Sequence, residues 1–355
     1  MTGSVGVLRS RARDAENDAL AGVTGGRVGL AGVLTDLNRT AVPATVPGTV
    51  AAFAWDRKDS WSRRWWPQGI TSSADATAGG TVDGRRVLVT SSYSKEIRRI
   101  NKGARITVAD VTDPSRVYYR HVLLVTAVLD DDGGVQLRPV RAHAGGLTWH
   151  GPHLHVAATH KGFLTFALDD IVAVPDTDQP DLLGRLPRGG MAGFGHRYVL
   201  PVRFVHRSRA EGTHAFRYSF LSLERSLSGH RLLAGEYARK DQSRRFLTYD
   251  LDPSTGLPTA DDDGVSSATL LPGEGVERMQ GAVRVGGRLH VTTSAGLHGR
   301  GSIWVGDPGS LLRFDRVLPP GPEDLCHWPA ADQLWTQTEY PRQRLVLALD
   351  RSRFT

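Results

Sequence analysis

The chain has 355 residues, 40% hydrophobic and 23% charged, with 40 Gly and 19 Pro, a composition that excludes disordered and fibrous classes. Its single cysteine, Cys326, excludes an intramolecular disulfide, so packing alone must hold the fold. The formal charge of +7 is spread almost wholly over Arg without a basic stripe of interleaved aromatics, which argues against a nucleic-acid partner.

No apolar run approaches the length of a membrane span, and the start, MTGSVGVLRSRARDAEND, has no continuous apolar core. The expectation is a soluble, unprocessed chain in the cytoplasm with no membrane partner. Residues 1–48 include DAENDALAGVTGGRVGLAGVLTDLN, loosely helical but interrupted by Gly-Gly, and read as a weak helix or mobile arm. Residues 49–355 then read as a single domain.

From residue 50 the pattern is that of strands. VAAFAWD (50–56) stands alone, and three-strand units follow. Four eight-residue segments align: RVLVTSSY (86–93), HLHVAATH (153–160), RLHVTTSA (288–295) and QLWTQTEY (333–340). Upstream of them lie QGI (68–70), GGL (145–147), QGA (280–282) and EDL (323–325), the last with Asp324 where the others have Gly. Downstream lie apolar strands ending at Asp110, Asp169, Asp307 and Asp350. Residues 197–252 supply four further strands, counted as one more unit, while the hairpin around DDDGG (118–142) is assigned to the edge of the first unit.

Short antiparallel strands recurring in units of about 40 residues predict an all-β fold, a β-propeller. Five blades are favoured and six are the alternative. The strand at 50–56 is expected to pair with the last unit and so close the ring.

In such a fold the strand entries and exits converge on the mouth of a central channel. The entries supply Gln68, His143, Gln280, Glu323 and Asp324; the exits supply Tyr93, His160, Glu339 and Tyr340, with Arg300 in a longer loop. Glu323, Asp324 and Glu339 are the acid/base candidates, because clustered carboxyls push their pKa values apart. His143 and His160 would assist, and Gln68, Tyr93, Gln280, Arg300 and Tyr340 would bind ligand. The same carboxyls could hold a divalent cation, though no cofactor is required.

His153 and His155 form an H-x-H, yet the repeat places bulky packing residues at the equivalent of His155, so no metal is assigned there. Cys326 and His327 are strand neighbours on opposite faces and cannot form a thiol–imidazole pair. No phosphate loop or G-x-S-x-G is present in a strand-to-helix context.

The signatures QGI, GGLTW, MQGAV and PEDLCHW, with the ending LWTQTEYPRQRLVLALD, resemble those of uncharacterised actinobacterial secreted proteins. In blade architecture they are distantly similar to strictosidine-synthase-like and lactonase propellers. The second resemblance implies a propeller enzyme acting on a small organic molecule by cyclisation, condensation or hydrolysis, in secondary metabolism, as a cyclase, lyase or hydrolase. The alternative is a non-catalytic propeller that binds a ligand or protein. The substrate and the oligomeric state are left open.

Overall fold

The computed structural model describes residues 3–175, 179–187, 189–226 and 228–355. Strands dominate, as the period-two pattern requires, and they form five large sheets. Each begins with one inner strand: Trp65–Ser72, Leu147–His150, Phe220–Ser226, Met279–Val285 and Pro322–Trp328. Each inner strand has a ladder partner on one side only. Its other side faces inner strands of neighbouring sheets: Leu147–His150 lies against the first and third, Met279–Val285 against the third and fifth, and the fifth against the first.

The β-propeller expectation, with its five or six equivalent blades, is corrected by the sheets themselves. They are open and unequal, with eight, six, four, four and five strands beside a separate two-stranded ribbon, and none closes or curls on itself. The inequality arises because extra segments cover otherwise exposed edges. Tyr118–Leu129 takes on Arg39–Thr40, Val135–Pro139 and, in parallel, Tyr198–Pro201. The architecture is all-β, built from packed open sheets, and the units are not equivalent repeats.

Ala51–Ala54 pairs antiparallel with Leu345–Asp350, Ala54 opposite Leu345, and Val42–Pro43 continues that sheet beyond it. Residues 3–48 are not an arm. Ser4–Arg9 is paired on both sides, with Phe204–Glu211 and Val265–Ser267, and Val7 is fully buried. The Gly-Gly that suggested a break is the C-terminal cap of helix Asp14–Thr24: Gly25 takes the left-handed conformation with φ 85°. That helix buries Leu20 and Ala21 against the first sheet.

Apolar cores lie between consecutive sheets. Val89, Ile106 and Val122 meet Trp149, Leu154 and Phe166 between the first two, and Ile70 and Leu88 meet Trp328 and Trp335 between the fifth and first. Near the inner strands the packing becomes polar and very tight. A Cβ on Gly146 would stand 2.0 Å from the Leu221 nitrogen, and one on Gly281 would stand 2.5 Å from the Asp324 Cα. The repeated Gly of the sequence pattern is therefore a close-approach residue, and backbone atoms cannot move aside as a flexible side chain would.

Gly146→Ala and Gly281→Ala are each expected to lower unfolding free energy by about 3 kcal/mol or more. Gly22→Ala, in the helix with open space around it, should stabilise by roughly 0.5–1 kcal/mol. Urea denaturation of the three variants checks both signs.

Candidate functional site

Three of the five inner strands are bulged at the same repeat position. Register shifts fall between Pro67 and Ile70, between Met279 and Gly281, and between Pro322 and Leu325. A bulge opposes two residues to one and re-aims a side chain, which ordinary alternation would turn away. Gln68, Gln280 and Glu323 all sit in these bulges, and all line one cavity of about 440 Å³.

His143 and Glu339 line the same cavity, so five of the ten sequence-predicted site residues come together there. Thr159, Ser219 and Tyr237 line it as well and were not anticipated. Ser219 immediately precedes the third inner strand, but RYSFLSLE lacks the Gly that marked the other entries. Thr159 adjoins His160 where the chain turns after the strand, and it is Thr159 that lines the cavity. Thr159 holds φ 53°, an uncommon conformation for a β-branched side chain, and its backbone pairs with Tyr218.

The other predicted residues are placed elsewhere. His160 is exposed in the turn between His153–Ala157 and Gly162–Ala167 and does not line the cavity. The Arg300 Nε donates to the Arg316 carbonyl at 2.8 Å, and the residue does not line it either. Tyr93 stacks on His143 with ring centroids 4.5 Å apart and supports that ring from behind. Tyr340 lies beside Glu339 and makes an edge contact with Trp66 at 6.2 Å. Burial and then the neighbouring Glu339 push the phenols of Tyr93 and Tyr340 up to about 12.

Asp324 is fully buried and points away from the cavity, into the contact between sheets. Its Oδ2 accepts the backbone N–H groups of Ile70 and Leu147, each at 3.1 Å. The side chain that stands in for Gly in the fifth unit thus joins three inner strands. That role removes it from the acid/base set and weakens the reading of a cation held by Glu323, Asp324 and Glu339. Among the described residues no group of three His, Cys, Asp or Glu side chains is placed to hold a metal ion. His155 is occupied by Thr165 Oγ1 and the Gly256 carbonyl, and burial pulls its pKa down to about 3.

The electrostatics centre on Glu323. It is 2% exposed and its Oε1 has no hydrogen-bond partner. Its backbone carbonyl is fixed by Thr292 Oγ1 at 2.7 Å and Thr336 Oγ1 at 3.4 Å. Burial first, then the Glu339 and Asp324 carboxylates, push its pKa well above the ordinary range. Glu339 is also raised by burial, but Tyr340, Lys95 and Arg344 act against that shift. Of the two, Glu323 keeps its proton to the higher pH and Glu339 ionises first.

Among the described residues no closed channel with a mouth is present; the convergent groups face a cavity at the meeting of open sheets. The propeller-channel enzyme and its alternative, the non-catalytic propeller, therefore both fall. No family model and no curated protein matches the chain, and the open, uncurled sheets overturn the resemblance to actinobacterial secreted, strictosidine-synthase-like and lactonase propellers. Solved structures are similar only remotely. A GH43_1 enzyme from Xanthomonas citri complexed with xylotriose aligns over 94% of this chain and 92% of its own, at 11% identity and TM-score 0.37. The RS223 beta-xylosidase aligns over 80% and 91%, at 8% identity and TM-score 0.34. The Dos1 propeller aligns over 77% and 70%, at 9% identity and TM-score 0.29. Likenesses at this level carry no argument about fold or site. No helix among the described residues is long and apolar enough to cross a membrane.

Because the native state prefers Glu323 protonated, its contribution to stability is full below the unfolded carboxyl pKa of about 4.3 and is lost as pH rises toward its raised native value. Glu323→Gln should therefore gain on the parent between pH 5 and 8, by up to about 1.4 kcal/mol per pH unit. Denaturation curves of both proteins across that range measure the difference; a constant offset would contradict the assignment.

Proposed function

We propose that the cavity binds a small, neutral, hydroxyl-rich molecule and hydrolyses it by paired general acid and base catalysis. The observation that carries this reading is the asymmetry of the two carboxyls: Glu323 is fully enclosed and raised well above the ordinary range, and Glu339 is the partner that ionises first. Two titratable groups pushed apart in one cavity supply an acid and a base at the same pH.

The remaining lining supports the ligand class. Gln68, Gln280, Ser219, Thr159 and Tyr237 offer neutral donors and acceptors suited to hydroxyl groups, while the two carboxyls disfavour an anion. In the proposed reaction Glu323 gives its proton to the leaving oxygen and the Glu339 carboxylate takes one from the attacking water. His143, braced by Tyr93, forms one wall and orients the ligand.

The test is turnover of a panel of 4-nitrophenyl glycosides by the full chain. Glu323→Gln and Glu339→Gln are each expected to lower kcat by roughly 10²–10⁴-fold with the fold retained. The pH profile should be bell-shaped in the parent and lose its alkaline limb in Glu323→Gln. Turnover that survives both substitutions, or no turnover and no binding of any member by the parent, would contradict the proposal.

A further inference from the structure

A second cavity, of about 430 Å³, lies on the outer part of the first sheet and shares no lining residue with the first. Its floor is Asp59, a buried carboxylate that accepts from Arg105 Nη2 at 3.0 Å and Tyr119 Oη at 2.9 Å and contacts His121 Nε2 at 2.8 Å, with Arg39 Nη1 at 3.6 Å. Although burial alone would raise it, the hydrogen bond to His121 and the Arg105 and Arg39 charges hold Asp59 well below the usual carboxylate range. Asp59 is the only carboxylate among the described residues that line it.

Among the described residues the cations around it exceed what the local carboxylates neutralise. Arg120 pairs with Asp36 at 2.8 Å and Lys102 with Asp181 at 3.0 Å. Lys58, Arg64 and Arg197 also line the cavity and have no ion-pair partner among the described residues. Two of these three are positioned by neutral groups, Arg64 on the Ile100 carbonyl at 2.7 Å and Arg197 on the Val174 carbonyl at 2.7 Å, which orient a guanidinium without cancelling its charge. The Arg105 Nε is buried and has no hydrogen-bond partner among the described residues. His121 is kept neutral, its pKa pulled down to about 4 by burial and then by Arg105, so the field in the cavity is positive without help from imidazolium.

We infer that this cavity is a binding site for a small molecule carrying a phosphate or diphosphate group, held by Lys58, Arg64 and Arg197 above the Asp59–Arg105 floor. Guanidinium forks match phosphate oxygens in pairs, and the volume suits one small ligand. The lining also includes Trp65, against which Arg105 stacks at 4.4 Å, and Phe194, so an apolar moiety next to the phosphate would find a surface. The site is independent of the carboxyl cavity, which disfavours anions.

The test is calorimetric titration of the full chain with inorganic phosphate and with pyrophosphate, in low and in high sodium chloride. Pyrophosphate is expected to bind one per chain, more tightly than phosphate, and to weaken with salt. The combined Lys58→Gln, Arg64→Gln and Arg197→Gln substitutions should weaken it by roughly tenfold or more. Should that variant melt early, Lys58→Gln alone, at an exposed position, should still weaken binding by about threefold. Glu323→Gln should bind as the parent does. Absence of pyrophosphate binding by the parent, unchanged affinity in the cation variants, or an equal loss in Glu323→Gln would overturn the assignment.

Discussion

Everything in this molecule depends on how the five inner strands satisfy the backbone edge that has no ladder partner. Those edges are buried where the sheets meet, so neither water nor a sixth sheet can take their N–H and C=O groups, and an unpaired buried amide costs on the order of 1–3 kcal/mol. Side chains take them instead. Asp324 accepts from Ile70 and Leu147, Gln337 Nε2 donates to the Gly69 carbonyl at 2.8 Å, and the Trp149 N–H donates to Thr71 Oγ1 at 3.0 Å. Ser91 accepts from the Gly69 N–H and donates to the Ala144 carbonyl, bridging two sheets through one hydroxyl. Glycines bring the strands close enough for these short side chains to reach.

The carboxyl cavity follows from the same constraint. Where an inner strand bulges to let its Gly or Asp meet a neighbouring strand, the residue before it turns the other way, and the three bulged strands deliver Gln68, Gln280 and Glu323 to one space. The bulge that secures the sheets is thus also the device that aims the site. Burial in that crowded polar layer, rather than any single neighbour, is what raises Glu323. The phosphate-type cavity has a different origin, in long Arg and Lys side chains arranged around Asp59 on an outer face.

Strand content and the entry signatures were legible because period-two alternation and the Q-G or E-D dipeptides repeat. The Ser and Thr of RVLVTSSY and RLHVTTSA were visible but unexplained; in the structure Ser91 and Thr292 are the hydroxyls that serve the inner strands. What could not be read was the sheet membership of segments outside the repeat pattern. Ser4–Arg9 and Tyr198–Pro201 join their sheets across long sequence separations, and such pairing leaves no local signal. Asp324 was misread for a different reason: strand neighbours alternate, so the carboxyl beside Glu323 turns to the other face, where it meets the Ile70 and Leu147 amides. The Asp59 cluster was missed entirely, since Asp59, Arg105 and His121 are distant in sequence and lie on no shared motif.

The central claim is that the Asp324 carboxyl, not a ladder, protects the Ile70 and Leu147 amides. Amide hydrogen exchange read by NMR on the parent and on Asp324→Ala tests it at single-residue level. In the parent both amides should exchange as slowly as the core strands; in Asp324→Ala they should exchange at least about tenfold faster than other amides of the same strands. Equal protection of Ile70 and Leu147 in the two proteins would contradict the account.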